Sequence, residues 1–263
     1  MDLDIEGNAA VVTASSSGLG KASATALARE GANVVINGRD EDRLAEAVED
    51  VESVATGEVV AAQGDLTDRS DVEALVAATV EEFGGLDHLV TSAGGPPSGA
   101  FLDTTDEDWY EAYDLLVMSV VRAVREAAPH LRADGGGTVV NVTSRSVKEA
   151  SAGNVLSSAV RMAVVGFEKT LSTELAPDVR ANTVLPGSIA TPRVEAACEL
   201  MVERGEAGSY EEALAMREAA VPLDRLGDPM ELGDTVAFLS SPRSGYINGQ
   251  AIPVEGGSGS STF

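Results

Sequence analysis

Cysteine, histidine, lysine and aromatic residues are all scarce in this chain of 263 residues. Cys198 is the single cysteine, so the chain forms no internal disulfide bond. The two histidines, His88 and His130, lie far apart, and no cysteines and histidines cluster at the spacing of a zinc site. We therefore expect neither a disulfide framework nor a bound metal ion.

Long apolar runs are also missing. None approaches the ~18 consecutive apolar residues of a transmembrane helix. Residues 1–7 are acidic, whereas a secretory signal begins with a basic segment followed by an apolar one. We therefore expect a cytoplasmic protein that does not act at a membrane.

Positive charge is scarce relative to negative charge. The chain has 18 basic and 43 acidic residues, which gives a formal net charge of −25. The acidic residues are spread along segments such as 40–42 and 46–52 rather than gathered in a tail, so they indicate charged helix surfaces rather than disorder. A field of this sign repels nucleic acids and anionic membranes, and we expect neither as a partner.

Such a charge also favours adaptation to concentrated salt. Mutual repulsion destabilises the fold at low ionic strength. At 1 M salt the Debye length falls to about 3 Å, which screens that repulsion. We therefore expect a halophilic protein. The alternative is an ordinary acidic surface in a protein that works at moderate salt.

Short apolar runs alternate with amphipathic stretches along the whole chain. Apolar runs bounded by turn residues predict strands, and apolar residues at a spacing of three to four predict helices. The predicted strands are residues 9–13, 33–37, 58–62, 86–91, 138–142, 179–185 and 251–254. The predicted helices are residues 18–30, 41–55, 71–83, 106–131, 152–175, 194–220 and 231–239.

This alternation predicts a doubly wound α/β fold of the Rossmann type. Right-handed crossovers between successive strands give a mostly parallel sheet of about seven strands flanked by helices. No repeat or linker divides residues 1–263, so we expect one domain. Within it, residues 192–225 lie outside the regular alternation, and we expect them to form a helical lid over the substrate. Residues 256–263 are expected as a loose end.

The loop after the first strand carries the strongest functional signal. It reads T-A-S-S-S-G-L-G and joins a strand to an alanine-rich helix. Small residues let the backbone approach a pyrophosphate, and the helix N-terminus directs N–H groups and a positive dipole toward it. The alternative is a plain tight turn. The residues of this loop that we expect to bind a dinucleotide are Thr13, Ser15, Ser16, Ser17, Gly18, Leu19 and Gly20.

The same segment resembles the T-G-x-x-x-G-x-G motif of the short-chain dehydrogenase/reductase family, with Ala14 in place of the first glycine. Segments similar to the family's other landmarks follow in order at residues 65–66, 91–94, 141–144, 182–191 and 249–257. The chain is most similar to the 3-oxoacyl-[acyl-carrier-protein]-reductase-like group. The resemblance implies that further cofactor contacts come from Asp65, Leu66, Ala93, Gly94, Pro186, Gly187 and Ile189.

The end of the second strand bears on the choice of cofactor. NAD enzymes usually offer a carboxylate to the ribose 2′-hydroxyl, whereas an arginine suits a 2′-phosphate. Here Asn37 takes the usual acidic place and Arg39 follows it, which favours NADP(H) over NAD(H). Asp40 and Glu41 would oppose a phosphate if they turned inward. The alternative is that Arg39 pairs with such an acid on the surface.

The catalytic positions depart from the family pattern. The family uses a tyrosine as proton donor, a lysine one helical turn later, a serine that holds the substrate oxygen and an asparagine that orders a water relay. Spacing places Ser144 at the serine, Ser157 at the tyrosine, Arg161 at the lysine and Leu116 at the asparagine. A serine hydroxyl is shorter than a phenol and a far poorer acid than tyrosine, whose pKa is about 10.

Two cations are candidates for the missing chemistry. Arg161 keeps a positive charge on the face of the helix where the family has its lysine, and we expect it to bind the nicotinamide ribose without giving up a proton. Lys148 lies in the loop after Ser144 and can act as a general acid if burial lowers its pKa. The alternative is a solvated loop lysine.

Three functions fit these residues. The first is an oxidoreductase that transfers a hydride between NADP(H) and a small carbonyl or hydroxyl substrate, similar to a 3-oxoacyl reductase but with a non-standard proton donor. The second is a dinucleotide-binding protein with little or no catalysis, acting as a sensor or an inactive partner subunit. The third is a sugar or alcohol dehydrogenase that uses NAD.

The resemblance also implies an assembly, because the family pairs two long helices across a two-fold axis. One helix carries apolar residues at helical spacing, and the other carries small ones. We expect a homodimer or a homotetramer. The predicted contact residues are Val117, Val120, Val121 and Val124 on one helix and Ala159, Ala163, Gly166 and Phe167 on the other.

Overall fold

The computed structural model describes residues 1–133 and 135–262. Its strands are β1 (Ala9–Val12), β2 (Asn33–Gly38), β3 (Val59–Gln63), β4 (His88–Thr91), β5 (Gly137–Val142), β6 (Val179–Pro186) and β7 (Ala251–Val254). They form one seven-stranded sheet in the order β3-β2-β1-β4-β5-β6-β7, and each neighbouring pair is parallel. The predicted parallel sheet is therefore confirmed.

Helices connect the strands and cover both faces of the sheet. They are α1 (Gly18–Arg29), α2 (Glu41–Glu52), α3 (Arg69–Phe83), α4 (Asp106–Tyr113), α5 (Ser119–Leu131), α6 (Val155–Glu174), α7 (Pro192–Glu203), α8 (Tyr210–Ala219) and α9 (Pro229–Ser240). Two predicted helices differ from the structure. A π-helical turn, Asp114–Met118, separates α4 from α5, and the predicted helix 194–220 is divided into α7 and α8.

The position of β1 in the middle of the sheet explains why this strand is apolar along its whole length. Successive side chains of a strand point to opposite faces of a sheet. In β1, Ala10 and Val12 pack with α1, α2 and α9, whereas Val11 packs with α3, α5 and α6. Because helices cover both faces, neither face of this strand can be polar. The fold is therefore a doubly wound α/β sheet, as the sequence predicts.

Two predictions from the sequence are wrong, one about the residues of the subunit contact and one about the C-terminal segment. Val117, Val120 and Val124, expected at a contact between subunits, are between 3% and 6% exposed and belong to the core beneath the sheet. The C-terminal segment is also held in place, because Arg145 donates hydrogen bonds to Ser258 at 2.8 and 3.1 Å. Phe263, the last residue of the expected loose end, lies outside the described residues.

The structure also bears on membranes and metals. Within residues 1–133 and 135–262, no helix combines the length and apolarity that a membrane span requires. Over the same residues, no three or more histidine, cysteine, aspartate or glutamate side chains gather as ligands for a metal ion. The division into one domain with a lid at residues 192–225 stays a prediction.

Candidate functional site

The candidate site lies at the carboxyl ends of the strands, between β1 and β4. The chain runs outward from β1 to β2 and β3, and then returns to place β4 on the other side of β1. Loops that follow β1 and β4 therefore diverge and leave a crevice at this point of the sheet. The serine- and glycine-rich loop follows β1, and Ser92, Ala93 and Gly94 follow β4.

The N-terminus of α1 is open. Its N-cap residue, Ser17, makes no capping hydrogen bond with its side chain. Side chains cap α2, α3, α4, α8 and α9, whereas α6 and α7 have no such cap either. Among the described residues the start of α1 therefore has no capping side chain, which suits an anionic group placed at the helix end.

Close packing fixes the shape of this loop. A Cβ atom added to Gly20 would lie 2.3 Å from the carbonyl oxygen of Ala14, so only glycine fits there. Ala14 itself has a φ of 46°, in the left-handed region that favours glycine. This is the position at which the sequence differs from the family motif. The alanine therefore adopts, at the cost of some strain, a backbone conformation that glycine adopts freely.

The hydroxyl groups of the loop fall into two sets. Thr13 donates to the carbonyl of Ser92 at 2.7 Å, and Ser15 donates to the carbonyl of Val12 at 2.6 Å. Both hydroxyls thus hold the loop to the ends of the strands. Within the part of the chain that the structure describes, the hydroxyls of Ser16 and Ser17 have no hydrogen-bond partner, so these two are available to a ligand.

Asn37 does not have the role that its position suggests. Its side-chain oxygen accepts a hydrogen bond from the N–H of Ala14 at 3.2 Å, and its amide nitrogen donates to the carbonyls of Ala62 and Gly64 at 3.1 and 3.2 Å. Asn37 is buried, with 2% of its surface exposed. Asn37 therefore braces the ends of β1, β2 and β3 and offers no amide group to a ribose.

Arg39 and Asp65 lie next to each other at the ends of β2 and β3. The guanidinium of Arg39 is exposed and lies 3.6 Å from the carboxylate of Asp65. Hydrogen bonds from Thr67 lower the pKa of Asp65, and Arg39 lowers it further. Asp40 turns away to cap α2 by accepting from the N–H of Arg43 at 3.0 Å. The acid that pairs with Arg39 is therefore Asp65 and not Asp40.

The loop after β6 forms the other wall of the crevice. A Cβ atom added to Gly187 would lie 2.6 Å from the Cβ of Glu255, so a side chain at this position would displace the residue that follows β7. Ile189 is buried. The Cγ2 atom of Thr191 lies 3.9 Å from the position of a Cβ on Gly18, which brings the start of α7 next to the start of α1.

Three serines form the polar side of the site beyond β5. Ser144 caps a short turn, and its Oγ accepts a hydrogen bond from the N–H of Ser146 at 3.2 Å. The Oγ of Ser146 lies 3.5 Å from the Oγ of Ser157 on α6. Ser144 and Ser157 were predicted from the sequence, whereas Ser146 was not. The S-x-S spacing after β5 was a signal for it.

Arg161 enters the site from α6, one helical turn after Ser157. It is 8% exposed, and it donates to the carbonyl of Gly94 at 2.7 Å and to that of Thr143 at 3.4 Å. Its Nε is buried with no acceptor among the described residues. Burial, together with the smaller effect of the positive charge of Arg193, lowers the pKa of Arg161 to about 10. The side chain is therefore a cation at neutral pH.

Arg193 is the second cation of the site, and the sequence analysis missed it. It lies in the first turn of α7, and a Cβ added to Gly95 would lie 1.7 Å from its Nη1. Its Nη2 lies 3.5 Å from the carbonyl oxygen of Pro96. The guanidinium therefore rests on the backbone that follows β4. No local pattern indicated this contact, because it joins residues 97 positions apart.

Two other expected positions have different surroundings. Lys148 is exposed, and its side chain has no hydrogen bond or ion pair with the described residues. Leu116 is 2% exposed and lies inside the π-helical turn, where it packs in the core. Neither burial of the Lys148 ammonium nor a polar group at residue 116 is present to assist proton transfer.

A buried polar chain lies beneath the site. Thr91 donates a hydrogen bond to the side-chain oxygen of Asn141, and the amide of Asn141 donates to Glu168 on α6. The other carboxyl oxygen of Glu168 has no partner within the described chain. Burial raises the pKa of Glu168 well above its usual value. This carboxyl is therefore favoured in its neutral form.

Comparison with known proteins finds that the chain is similar to oxidoreductases. Residues 13–259 match the family described as Enoyl-(Acyl carrier protein) reductase. The chain is 34% identical to an uncharacterized oxidoreductase of Methylorubrum extorquens, with 96% of this chain and 98% of the relative aligned. It is 30% identical to the 3-oxoacyl-[acyl-carrier-protein] reductase of Thermotoga maritima, again with 96% of this chain and 98% of the relative aligned.

A solved structure of a reductase is also similar to this chain. The crystal structure of L-sorbose reductase from Gluconobacter frateurii, in complex with NADPH and L-sorbose, superposes with a TM-score of 0.93. The two sequences are 34% identical, and the alignment covers 99% of this chain and 100% of that one.

Proposed function

The chain belongs to the short-chain dehydrogenase/reductase family, and on that premise we propose that it transfers a hydride between NADP(H) and a small carbonyl or hydroxyl substrate. The observation that carries the proposal is the open N-terminus of α1 at the crevice, with the free hydroxyls of Ser16 and Ser17 beside it. Such an arrangement fits a pyrophosphate. NADPH, when bound, supplies the hydride.

The residues of the crevice divide into shaping and binding groups. Thr13 and Ser15 hold the loop in place, because their hydroxyl groups already donate hydrogen bonds to backbone carbonyls. Gly20 allows the close approach of the Ala14 carbonyl. The pyrophosphate then binds to the other residues of the loop and to the first N–H groups of α1. The remaining proposed contacts are Asp65 and Leu66 for the adenine and Ala93, Gly94, Pro186, Gly187 and Ile189 for the nicotinamide half.

The preference for NADP(H) rests on Arg39. Its guanidinium is exposed at the end of β2, and its ion pair with Asp65 is exposed as well. Exposed ion pairs contribute little to stability. Arg39 can therefore exchange the Asp65 carboxylate for a 2′-phosphate at little cost in folding free energy. The L-sorbose reductase with the same fold was crystallised with NADPH, which agrees with this choice.

The chemistry needs a hydrogen-bond donor for the substrate oxygen and a source for one proton. We assign the donor to Ser144 and the stabilising positive charge to Arg161. As the hydride reaches the carbonyl carbon, the electron pair moves to the oxygen, which takes up a proton from solvent. We assign the relay of that proton to Ser146 and Ser157, whose hydroxyl groups lie 3.5 Å apart. The two cations do not serve as the donor, because Lys148 is exposed and Arg161 holds its own proton at neutral pH.

A dinucleotide-binding protein without catalysis is the second candidate. The observation in its favour is that a serine stands at residue 157 and a buried leucine at residue 116, where the family pattern places a tyrosine and an asparagine. Such a protein binds NADPH with the same loop but turns over no carbonyl compound.

The test combines binding with turnover. NADPH binding is followed by fluorescence titration, and NADPH oxidation is followed over ketones, aldehydes, 3-oxoacyl thioesters and oxo acids. We expect Ser144→Ala to bind NADPH normally and to lose turnover on the order of 10²–10³-fold, as when an oxyanion-hole donor is removed. Normal NADPH binding without any turnover supports the second candidate, and absence of NADPH binding excludes both.

We propose that two copies of the chain associate through α4 and α6. Ala159, Met162, Ala163 and Gly166 lie exposed on α6 at helical spacing, and Tyr110 of α4 is 74% exposed nearby. A Cβ added to Gly166 meets nothing within 4 Å in the monomer. This apolar face of small residues suits close helix packing across a two-fold axis.

We also propose that residues 192–225 cover the substrate. The support is the position of α7, whose first turn brings Thr191 next to Gly18 and Arg193 over Gly95. Movement of α7 therefore changes access to the crevice.

A further inference from the structure

Arg161 and Arg193 lie against the same short segment, residues 94–96, and neither has an acidic partner. Arg161 binds the carbonyl of Gly94, and Arg193 lies over Gly95. In the described residues neither arginine forms an ion pair, although the chain has 43 acidic residues and 18 basic ones. The charge that acts on the pKa of Arg161 is the positive charge of Arg193, which lowers it. The local charge is thus opposite to that of the molecule.

Three features of this arrangement are unfavourable without an anion. Two cations lie close together, and one of them, Arg161, is largely removed from water. Arg193 lies in the first turn of α7, where the helix dipole disfavours a positive charge. The buried Nε of Arg161 has no acceptor in the described chain. One negatively charged group bound between the guanidinium groups relieves all three.

The position of the pair indicates where that negative charge comes from. Residues 94–96 follow β4, and Thr143 follows β5. The pyrophosphate loop follows β1, and Arg39 follows β2. In the proposed function, on which this inference rests, the nicotinamide and its ribose lie over β4 and β5, and these groups carry no negative charge. This leaves the substrate as the source of the anion, with the pyrophosphate at the start of α1 as the alternative that the experiment below tests.

We propose that the substrate is an oxo acid whose carboxylate binds to Arg161 and Arg193 while its carbonyl oxygen binds to Ser144. Guanidinium groups match a carboxylate with paired hydrogen bonds. Arg161 donates to the carbonyl of Thr143, the residue before Ser144, so its guanidinium and the Ser144 hydroxyl lie at the end of the same strand, β5. We therefore take short oxo acids, the 2-oxo and 3-oxo acids, as the compounds to test first.

The experiment compares acids with their neutral amides. The pairs pyruvate with pyruvamide and acetoacetate with acetoacetamide differ in charge but little in shape. Binding is measured by calorimetry at constant potassium chloride concentration, with the free protein and with the protein saturated with NADP⁺. We expect the acid to bind roughly 10- to 100-fold more tightly than its amide, which is the range for a hydrogen-bonded charged group.

Arg193→Met tests the assignment, because this exposed side chain is replaced without opening the core. We expect the variant to lose the preference for the acid and to keep its affinity for NADPH. Arg204→Met is the matched control, since Arg204 is exposed at the other end of α7, and this variant keeps the preference.

Three results would overturn the inference. The first is equal binding of acid and amide, and the second is no binding of any acid in the series. The third is a loss of NADPH affinity in Arg193→Met, because the arginine then serves the phosphates of the cofactor. Failure of the proposed function is distinguishable from all three, since it shows in the unaltered protein as absence of NADPH binding or as NADPH binding without turnover of any carbonyl compound.

Discussion

The guanidinium of Arg39 lies 3.6 Å from the carboxylate of Asp65, and the Arg39 side chain is 76% exposed. The two residues join the ends of β2 and β3, where the adenine ribose of a bound dinucleotide lies in a Rossmann fold. An exposed pair of this kind contributes about 0–1 kcal/mol to stability. Its proposed purpose is therefore to hold Arg39 in position for a 2′-phosphate.

Replacing Arg39 tests the preference for the phosphorylated cofactor. We expect Arg39→Ala to bind NADPH roughly 10-fold more weakly and NADH almost unchanged, because a charge-assisted hydrogen bond to the phosphate is lost. Fluorescence titration with both nucleotides measures the change. Arg43→Ala is the control, since Arg43 is exposed on the first turn of α2. Equal affinity of the unaltered protein for NADPH and NADH contradicts the proposal.

The serine relay predicts a graded effect on turnover. Ser146→Ala and Ser157→Ala each interrupt the contact between the two hydroxyl groups. We expect both to reduce kcat roughly 10-fold, less than Ser144→Ala, because solvent replaces part of the relay. The control is Ser158→Ala, which alters a hydroxyl that has no partner among the described residues. If kcat in both relay variants equals that of the control, the relay does not exist.

His88 makes stability depend on pH. It is buried between Asn8 and Thr138, and burial lowers its pKa from 6.5 to about 4. The unfolded chain therefore binds a proton near pH 6.5 that the folded chain binds only near pH 4, so stability present above pH 6.5 is lost as the pH falls. The expected loss at about pH 5 is about 2 kcal/mol relative to about pH 7.5.

Urea unfolding at the two pH values checks this dependence. His88→Gln provides the control, because glutamine does not titrate and the fall in unfolding free energy between the two pH values should become smaller. An equal fall in both proteins would show that other groups cause it.

The proposed subunit contact is tested at Ala163. We expect the unaltered protein to be a dimer or tetramer by light scattering. Ala163→Arg places a charge on the exposed apolar face of α6 and should give smaller species while leaving the monomer folded. Ala219→Arg introduces the same change on the exposed surface of α8 and should leave the assembly intact. A monomer in the unaltered protein refutes the contact.

The acidic surface predicts stabilisation by salt. Raising potassium chloride from about 0.1 M to about 1 M shortens the Debye length from ~10 Å to ~3 Å, so we expect Tm to rise. Changing the exposed Glu46, Glu49 and Glu52 of α2 to glutamine should weaken the dependence. A Tm that does not change with salt, measured by thermal unfolding, contradicts the expectation of a halophilic protein.

The loop after β1 could be predicted from the sequence because its constraints are local. Gly20 lies six residues from the Ala14 carbonyl that excludes a side chain, Gly18 is favoured by its own positive φ of 56°, and the strand and helix on either side have clear periodicity. Ser144 was identified for a similar reason, since it follows the end of β5 directly. Arg193 was not, because its contact with residues 95–96 depends on where α7 crosses the sheet.

The predicted contact face of helix 106–131 shows a different limit of prediction from sequence. Helical spacing grouped Val117, Val120 and Val124 on one face, which the structure confirms, but periodicity does not say whether that face meets a second subunit or the sheet of its own chain. The π-helical turn Asp114–Met118 adds a further difficulty. A wider turn rotates the faces before and after it relative to each other, and no residue pattern in this segment indicates such a turn.

Glu168 offers the spectroscopist an internal probe. A carboxyl that keeps its proton while surface carboxylates have lost theirs has an infrared carbonyl stretch separate from the bands of ionised groups. Its hydrogen bond to Asn141, and through it to Thr91, connects this oscillator to the ends of β4 and β5. Difference spectra recorded as a ligand enters the crevice can therefore follow binding without any label.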